Sequence, residues 1–512
     1  MSVDMNREIE TVDMLIVGGG INGAGIACDA AGRGLSVALY EQQDFAGATS
    51  SASSKLIHGG LRYLEQYQFR LVAEALAERE VLLKKAPHLI MPMRFVLPHQ
   101  PSLRPAYLIK LGLYLYDRLS SRSQLPASKA IDFHHSGILQ SQFETGFEYS
   151  DCFVDDARLV ILNIIQAKQL GAKVKNYCQV IDAKEVEQYW LVTLYDQVNH
   201  QTFQKRARLL VNAAGPWVSQ FIDQKLNVES EQKVRLVKGS HIILPKLYEQ
   251  PHAYILQNDD QRIVFVIPYL DRFSLVGTTD QTYQEATHQV EISKQESLYL
   301  LDVVNRYFIK QSGIQDIIHS FSGLRPLCED KKSSAQKVTR DYKLVLQHAN
   351  NSAPLISIFG GKITTYRKLA ESACKLAMPF FPQMKKSWTA KTPLPGGDFN
   401  GTPEQLTSQL LQSFNWLDKK IARRYIAQYG TLAWQLCGNK KGLGEFFGAG
   451  LYQLEIDYLV KNEWVIYPQD LLWRRTKLAL FLGEKELQKI TKYFKNSPIC
   501  KGAMSAKGEI KD

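Results

Sequence analysis

Met14-Leu15-Ile16-Val17-Gly18-Gly19-Gly20-Ile21-Asn22-Gly23-Ala24-Gly25 decides the fold. Four apolar residues of strand type run into Gly18-x-Gly20-x-x-Gly23. An alanine-rich stretch from Ile26 to Arg33 then reads as a helix closing at Gly34, and Leu35 to Tyr40 reads as a second strand ended by Glu41. Each part has a physical task in dinucleotide binding. Gly18 permits the tight turn, Gly20 lets the backbone approach a pyrophosphate, and Gly23 lets the helix pack close to the strand. The helix start, where Asn22 lies, offers unpaired N–H groups and the positive end of its dipole to phosphate oxygens. A carboxylate at Glu41 can accept hydrogen bonds from ribose hydroxyls. A glycine-rich turn of purely structural use is the bland alternative, but strand, helix, second strand and terminal acid in order favour a nucleotide. The acid disfavours a ribose 2′-phosphate, and hence NADP, without separating NAD from FAD.

Two distant segments make that separation. Leu209 to Trp217 is a buried strand breaking at a small-residue turn that includes Ala214 and Gly215. Ile356 to Arg367 repeats the strand, glycine turn, helix design, with Gly361, Lys362 and Thr364 at the turn. Large flavoproteins need such remote loops to hold a flavin ring, whereas simple NAD dehydrogenases rarely do.

Bulk properties set the class. A chain of 512 residues with 45% hydrophobic content can build two to four units around large cores. The net charge of +11 suits an anionic partner: a phosphorylated substrate, a lipid surface or a nucleic acid. Seven scattered cysteines without a CxxC argue against a disulfide framework or zinc site, and no metal is expected. The polar, acidic start does not read as a signal peptide, and no uncharged apolar run is long enough to span a bilayer.

Several further stretches carry a family likeness: ATSSASSKLIHGGLRYLE from Ala48 to Glu65, FEYSDCFVDDARLV at 147–160, LVKGSHIILP at 236–245, VGTTD at 276–280, SGLRPLC at 322–328, TRDY at 339–342 and FGGKITTYRKLAE at 359–371. With the opening motif and NAAGPW, they resemble the FAD-dependent glycerol-3-phosphate dehydrogenases of the aerobic, respiratory bacterial type, from about residue 10 to the C-terminus. The resemblance implies an α/β fold like that of D-amino-acid oxidase: a Rossmann-type FAD domain interleaved with an antiparallel-sheet substrate domain, then a C-terminal helical domain. The expected oxidoreductase unit is 1–391, with FAD segments at about 9–85, 151–232 and 344–391 and substrate segments at about 86–150 and 233–343. The helical domain is expected at 392–512. Apolar spacing agrees, predicting helices over 66–86, 403–413 and 417–429, a capped helix from Asp155-Asp156 to Leu170, and strands at 236–245, 262–268 and 272–277.

The implied chemistry is oxidation at the glycerol C2 carbon, with FAD taking the hydride. The protein must grip a phosphate dianion, and arginine's planar fork suits that task. Arg325 in SGLRP and Arg340 in TRDY line the substrate pocket by resemblance. Lys362 at the glycine turn is placed to favour the anionic reduced ring. His58 in KLIHGG is the candidate general base, because histidine titrates near neutrality. Arg62 and Tyr63 are candidates for holding a substrate oxygen, and Thr278 for a contact to substrate or flavin. By resemblance the loop Thr49-Ser50-Ser51-Ala52-Ser53-Ser54-Lys55 contacts FAD; a plain polar turn is the alternative.

Ala106 to Leu119, AYLIKLGLYLYDRL, predicts a helix with a narrow polar stripe containing Lys110 and Asp117 and a broad apolar face. Such a helix can lie in the headgroup zone of a membrane or be buried in the core. The resemblance, whose members pass electrons to membrane quinone, favours peripheral attachment to the anionic cytoplasmic face of the inner membrane. It also implies a homodimer. A soluble oxidase giving electrons to oxygen is the competing enzyme. No RNP-like motif, KH loop or zinc knuckle supports a nucleic-acid partner, and a non-catalytic dinucleotide sensor is the remaining alternative.

Overall fold

The computed structural model describes residues 9–100, 105–119, 125–134, 137–226, 232, 234–284, 290–328, 341–349 and 352–499. Strand β1 (Thr11–Val17), helix α1 (Ile21–Gly32) and strand β2 (Val37–Tyr40) open the chain. β1 lies between β2 and the strand Gln201–Asn212, parallel to both. The strands Leu355–Phe359 and Lys173–Lys175 extend this sheet on either side, again in parallel. Met14, Leu15 and Ile16 are fully buried on both faces, as an unbroken apolar run in a parallel strand requires. The remote segments 209–217 and 356–367 therefore return to the same sheet edge as the opening motif, which explains why they share its strand-then-glycine design.

α1 packs on α4 (Asp156–Gln169) and on the helix Tyr366–Ala377. Its alanines and glycines permit close approach: a Cβ on Gly25 would stand 2.8 Å from the Tyr366 ring. α4 begins as predicted, with the Asp155 side chain accepting from the Arg158 N–H.

Among the described residues the second sheet has ten strands. Its long members are Ile90–Pro98, Thr145–Val154, Val234–Pro245, Ile263–Tyr269 and His319–Cys328, and their pairings are antiparallel except between Ile90–Pro98 and Ala253–Gln257. α2 (Phe69–Lys85) and α3 (Ala106–Leu119) pack together at one end of it. Helices Pro403–Ser413, Lys419–Tyr429, Leu432–Cys437, Gln453–Asn462 and Glu484–Asn496 enclose a separate apolar core. A fully buried ion pair, Arg158 with Glu463, ties that core to α4. The α/β class with a parallel nucleotide sheet, a mainly antiparallel sheet and a helical C-terminal part is thus the fold of the chain.

Candidate active site

The glycine turn closes as its sequence dictates. Gly18 takes a φ of +108°, and a Cβ there would sit 2.5 Å from the Ala213 carbonyl. A Cβ on Gly23 would fall 2.0 Å from the Gly18 carbonyl oxygen. Gly20 is the N-cap of α1 and lies in extended backbone. Ser50 reaches the same spot, its Oγ accepting from the Ile21 N–H at 3.0 Å. Glu41 stands at the end of β2. Its carboxylate accepts from the N–H groups of Gly19 (2.6 Å) and Gln43 (2.8 Å), and burial raises its pKa against those bonds. Ala214 and Gly215 close the far side of the cradle, with Gly215 at a φ of +58°.

Asn22 bridges the two glycine loops. Its Nδ2 donates to the Gly360 carbonyl at 3.0 Å, while its Oδ1 is buried without a hydrogen-bond partner. A buried orphan acceptor at the junction of a pyrophosphate turn and a second glycine loop fits a ligand that brings its own donors, as the hydroxyls of a ribityl chain do. By this test the residues present fit FAD.

Beyond Asn22 a cavity of about 870 Å³ opens between the two sheets, large for a small-molecule site. His58, Arg62, Tyr63, Thr278, Arg325, Gly361, Lys362 and Thr364 all line it, together with Thr49, Ser50 and Ser54. The Lys362 ammonium lies 4.0 Å from the centre of the Tyr63 ring, and the His58 N–H donates to Thr364 Oγ1 at 3.3 Å. Arg325 is clamped on one side, donating to Thr278 Oγ1 at 2.8 Å and pairing with Asp280 at 3.2 Å, and remains about a third exposed. Arg340 lies outside the described residues.

Part of the serine loop is engaged within the protein. Lys55 does not present its charge to the cavity: its ammonium is buried, 2.8 Å from Asp156 and 2.9 Å from the Ser51 carbonyl. Ser51 turns back to Ala48, while Thr49 Oγ1 donates to the Leu324 carbonyl. Ser54 meets a histidine that the sequence did not single out. His241 is buried, stacks on Phe321, and contacts Ser54 Oγ through Nε2 at 2.9 Å. Burial, with Arg325 and Lys55 nearby, holds its pKa well below the ordinary value, so it is neutral. Asp280, Gln257 and Arg262 also line the cavity without having been foreseen. Asp280 was visible as the acid closing VGTTD; Gln257 and Arg262 carry no local signal, because a strand pairing brings them there.

Fold and cradle together define a flavoprotein oxidoreductase. The chain belongs to the FAD-dependent oxidoreductase family, whose model matches residues 13–367, and within it to the group containing the glycerol-3-phosphate dehydrogenases. Residues 387–497 match the C-terminal domain of alpha-glycerophosphate oxidase. The glycerol-3-phosphate dehydrogenase of Pseudomonas aeruginosa is 54% identical over 95% of this chain and 96% of its own. The D-erythritol 1-phosphate dehydrogenase of Brucella abortus is 46% identical over 96% of this chain and 99% of its own. A solved structure, the glycerol-3-phosphate dehydrogenase of Bacillus halodurans complexed with FAD, superimposes with a TM-score of 0.73 at 24% identity, covering 98% of this chain and 97% of that one, a likeness of fold.

Proposed function

We propose that this chain oxidises sn-glycerol 3-phosphate to dihydroxyacetone phosphate and delivers the electrons to a membrane quinone while attached peripherally to the cytoplasmic face of the inner membrane. FAD supplies the hydride-accepting ring when bound. Arg325, oriented by Thr278 and Asp280, takes two phosphate oxygens with its planar fork, and Arg340 is its proposed companion. His58 accepts the proton of the C2 hydroxyl on an imidazole nitrogen, with Arg62 and Tyr63 holding the substrate oxygen. Lys362 places a positive charge beside the ring, and the cation rests against the Tyr63 face.

One observation carries the reading: a single cavity brings the flavin-side loop Gly360–Thr364, the arginine pair Arg62 and Arg325, and the apolar side of α3 to a common space. α3 is neither wholly core nor wholly surface. Ile109, Leu113 and Tyr116 are buried, whereas Tyr107, Leu108, Leu111, Tyr114 and Leu115 are exposed, alongside Tyr67 and Phe69. Leu108, Leu111 and Leu115 line the cavity as well as the surface. A lipid-borne quinone meets such a surface before it meets the ring. Among the described residues no helix is long and apolar enough to cross a membrane. The test is the fate of the electrons. Holoenzyme reduced by glycerol 3-phosphate should be reoxidised by a short-chain quinone far faster than by oxygen. Fast reoxidation by oxygen with peroxide release would instead mark an oxidase.

A further inference from the structure

His58 and Leu61 flank two consecutive glycines, Gly59 and Gly60, and Arg62 follows Leu61. Such a pair has little conformational preference of its own, and Gly60 sits at a φ of +78°. Something else must fix the direction in which His58 leaves it. The Gly59 N–H is buried and donates to the Tyr116 hydroxyl at 2.9 Å, with a longer approach of 3.4 Å to Asp151 Oδ1. Tyr116 in turn donates to Asp151, its oxygen lying 2.8 and 2.7 Å from the two carboxylate oxygens. Arg79 of α2 closes the chain, 2.8 Å from Asp151 and 2.9 Å from the Ser150 carbonyl.

The polarity of this chain is forced. Arginine can only donate and an ionised carboxylate can only accept, so the single hydroxyl proton of Tyr116 points at Asp151 and its lone pair faces Gly59. All three side chains are at most 4% exposed, so water does not compete for these bonds. The fit admits no side chain at position 59, where a Cβ would stand 2.7 Å from the Tyr116 oxygen and 2.5 Å from Leu76.

We propose that Tyr116 and Asp151 are positioning residues for the reaction, holding the His58–Gly59 peptide, and through it His58 and Arg62, in the reactive arrangement. This rests on the reading of His58 and Arg62 as groups that meet the substrate. Neither Tyr116 nor Asp151 lines the cavity. They act through the Gly59 amide: Tyr116 comes from the inner face of the helix whose outer residues wall the cavity, and Asp151 from the strand Thr145–Val154.

Tyr116→Phe removes the hydroxyl and keeps the ring, which packs edge-on to Tyr149 at 5.5 Å. The assay is anaerobic stopped-flow reduction of the holoenzyme flavin by sn-glycerol 3-phosphate. Misplacement of a reacting group is costly even when small, so the reduction rate should fall between about tenfold and a hundredfold, with the apparent substrate constant changed less than about threefold and flavin content unchanged. Leu113→Ala, on the same buried face, serves as the control for loosened packing; it should lower thermal stability at least as much and leave the reduction rate within about twofold. Should Tyr116→Phe give no holoenzyme, Asp151→Asn carries the same expectation. An unchanged rate in Tyr116→Phe overturns the proposal, as does an equal loss in Leu113→Ala. Wild-type flavin that glycerol 3-phosphate fails to reduce overturns the underlying reading, and the positioning role with it.

Discussion

Replacing Arg325 with alanine probes the proposed phosphate site directly, and the size of the effect follows from its surroundings. A guanidinium meeting a phosphate through two charge-assisted hydrogen bonds contributes about 1.5–3 kcal/mol per bond. Arg325 already spends one nitrogen on Asp280 and another on Thr278, and it is about a third exposed, so the lower end applies and the pair is worth about 3 kcal/mol. That is roughly a hundredfold rise in KM for glycerol 3-phosphate, with kcat reduced much less, since the phosphate is gripped equally before and during hydride transfer. The structure adds a second expectation. Without Arg325 the Asp280 carboxylate loses the guanidinium 3.2 Å away that offsets its charge, and it repels a phosphate dianion more strongly. Arg325→Ala with Asp280→Asn should therefore bind substrate about tenfold better than Arg325→Ala alone. Steady-state kinetics with a soluble dye acceptor, with flavin content checked on each variant, reads both effects. An unchanged KM in Arg325→Ala, or a double variant no better than the single one, would refute the reasoning.

The outer face of α3 and a buried histidine give two further predictions. Tyr107→Glu with Tyr114→Glu removes two exposed aromatic rings from α3, worth about 3 kcal/mol of apolar burial, and should weaken binding to anionic vesicles about a hundredfold while activity with a soluble acceptor persists; cosedimentation equal to wild type would show that α3 is not the docking surface. His88 is buried with both ring nitrogens unpartnered, and burial, assisted by the charge of Arg158, holds its pKa down to about 3 from 6.5. The unfolded chain binds this proton between those values and the folded chain does not, so the contribution is complete above the unfolded value and is lost as pH falls through the window. Moving from pH 7 to pH 5 should cost about 2 kcal/mol from this residue alone. His88→Met should flatten the pH dependence of the urea midpoint; an unchanged slope would mean that His88 is solvated.

Much of this architecture is legible in the sequence because its signals are local. Gly18, Gly20, Gly23 and Glu41 announce the nucleotide turn through spacing that only a strand-to-helix junction needs, and the structure closes that turn with contacts too short for any side chain. The bounds of α3 and of the helix Pro403–Ser413 coincide with the apolar spacing that predicts them. What the sequence conceals is pairing across distance. Lys55 reads as a loop cation but is neutralised by Asp156, a hundred residues on and brought beside it by the start of α4. His241 and Tyr116 look like ordinary strand and helix residues until the sheets place them against Ser54 and Gly59. The choice for α3 between lipid and core dissolves for a similar reason: one face of a helix can be buried while the other is exposed, and periodicity records both as apolar.

The central claim is that a cavity built from both sheets sets a flavin beside cations that hold a small phosphomonoester. Anaerobic titration of the purified yellow holoenzyme with sn-glycerol 3-phosphate tests it most directly. The account predicts stoichiometric bleaching of the flavin absorbance with dihydroxyacetone phosphate as product. Colour that survives excess substrate, or protein that takes up no FAD, would contradict it.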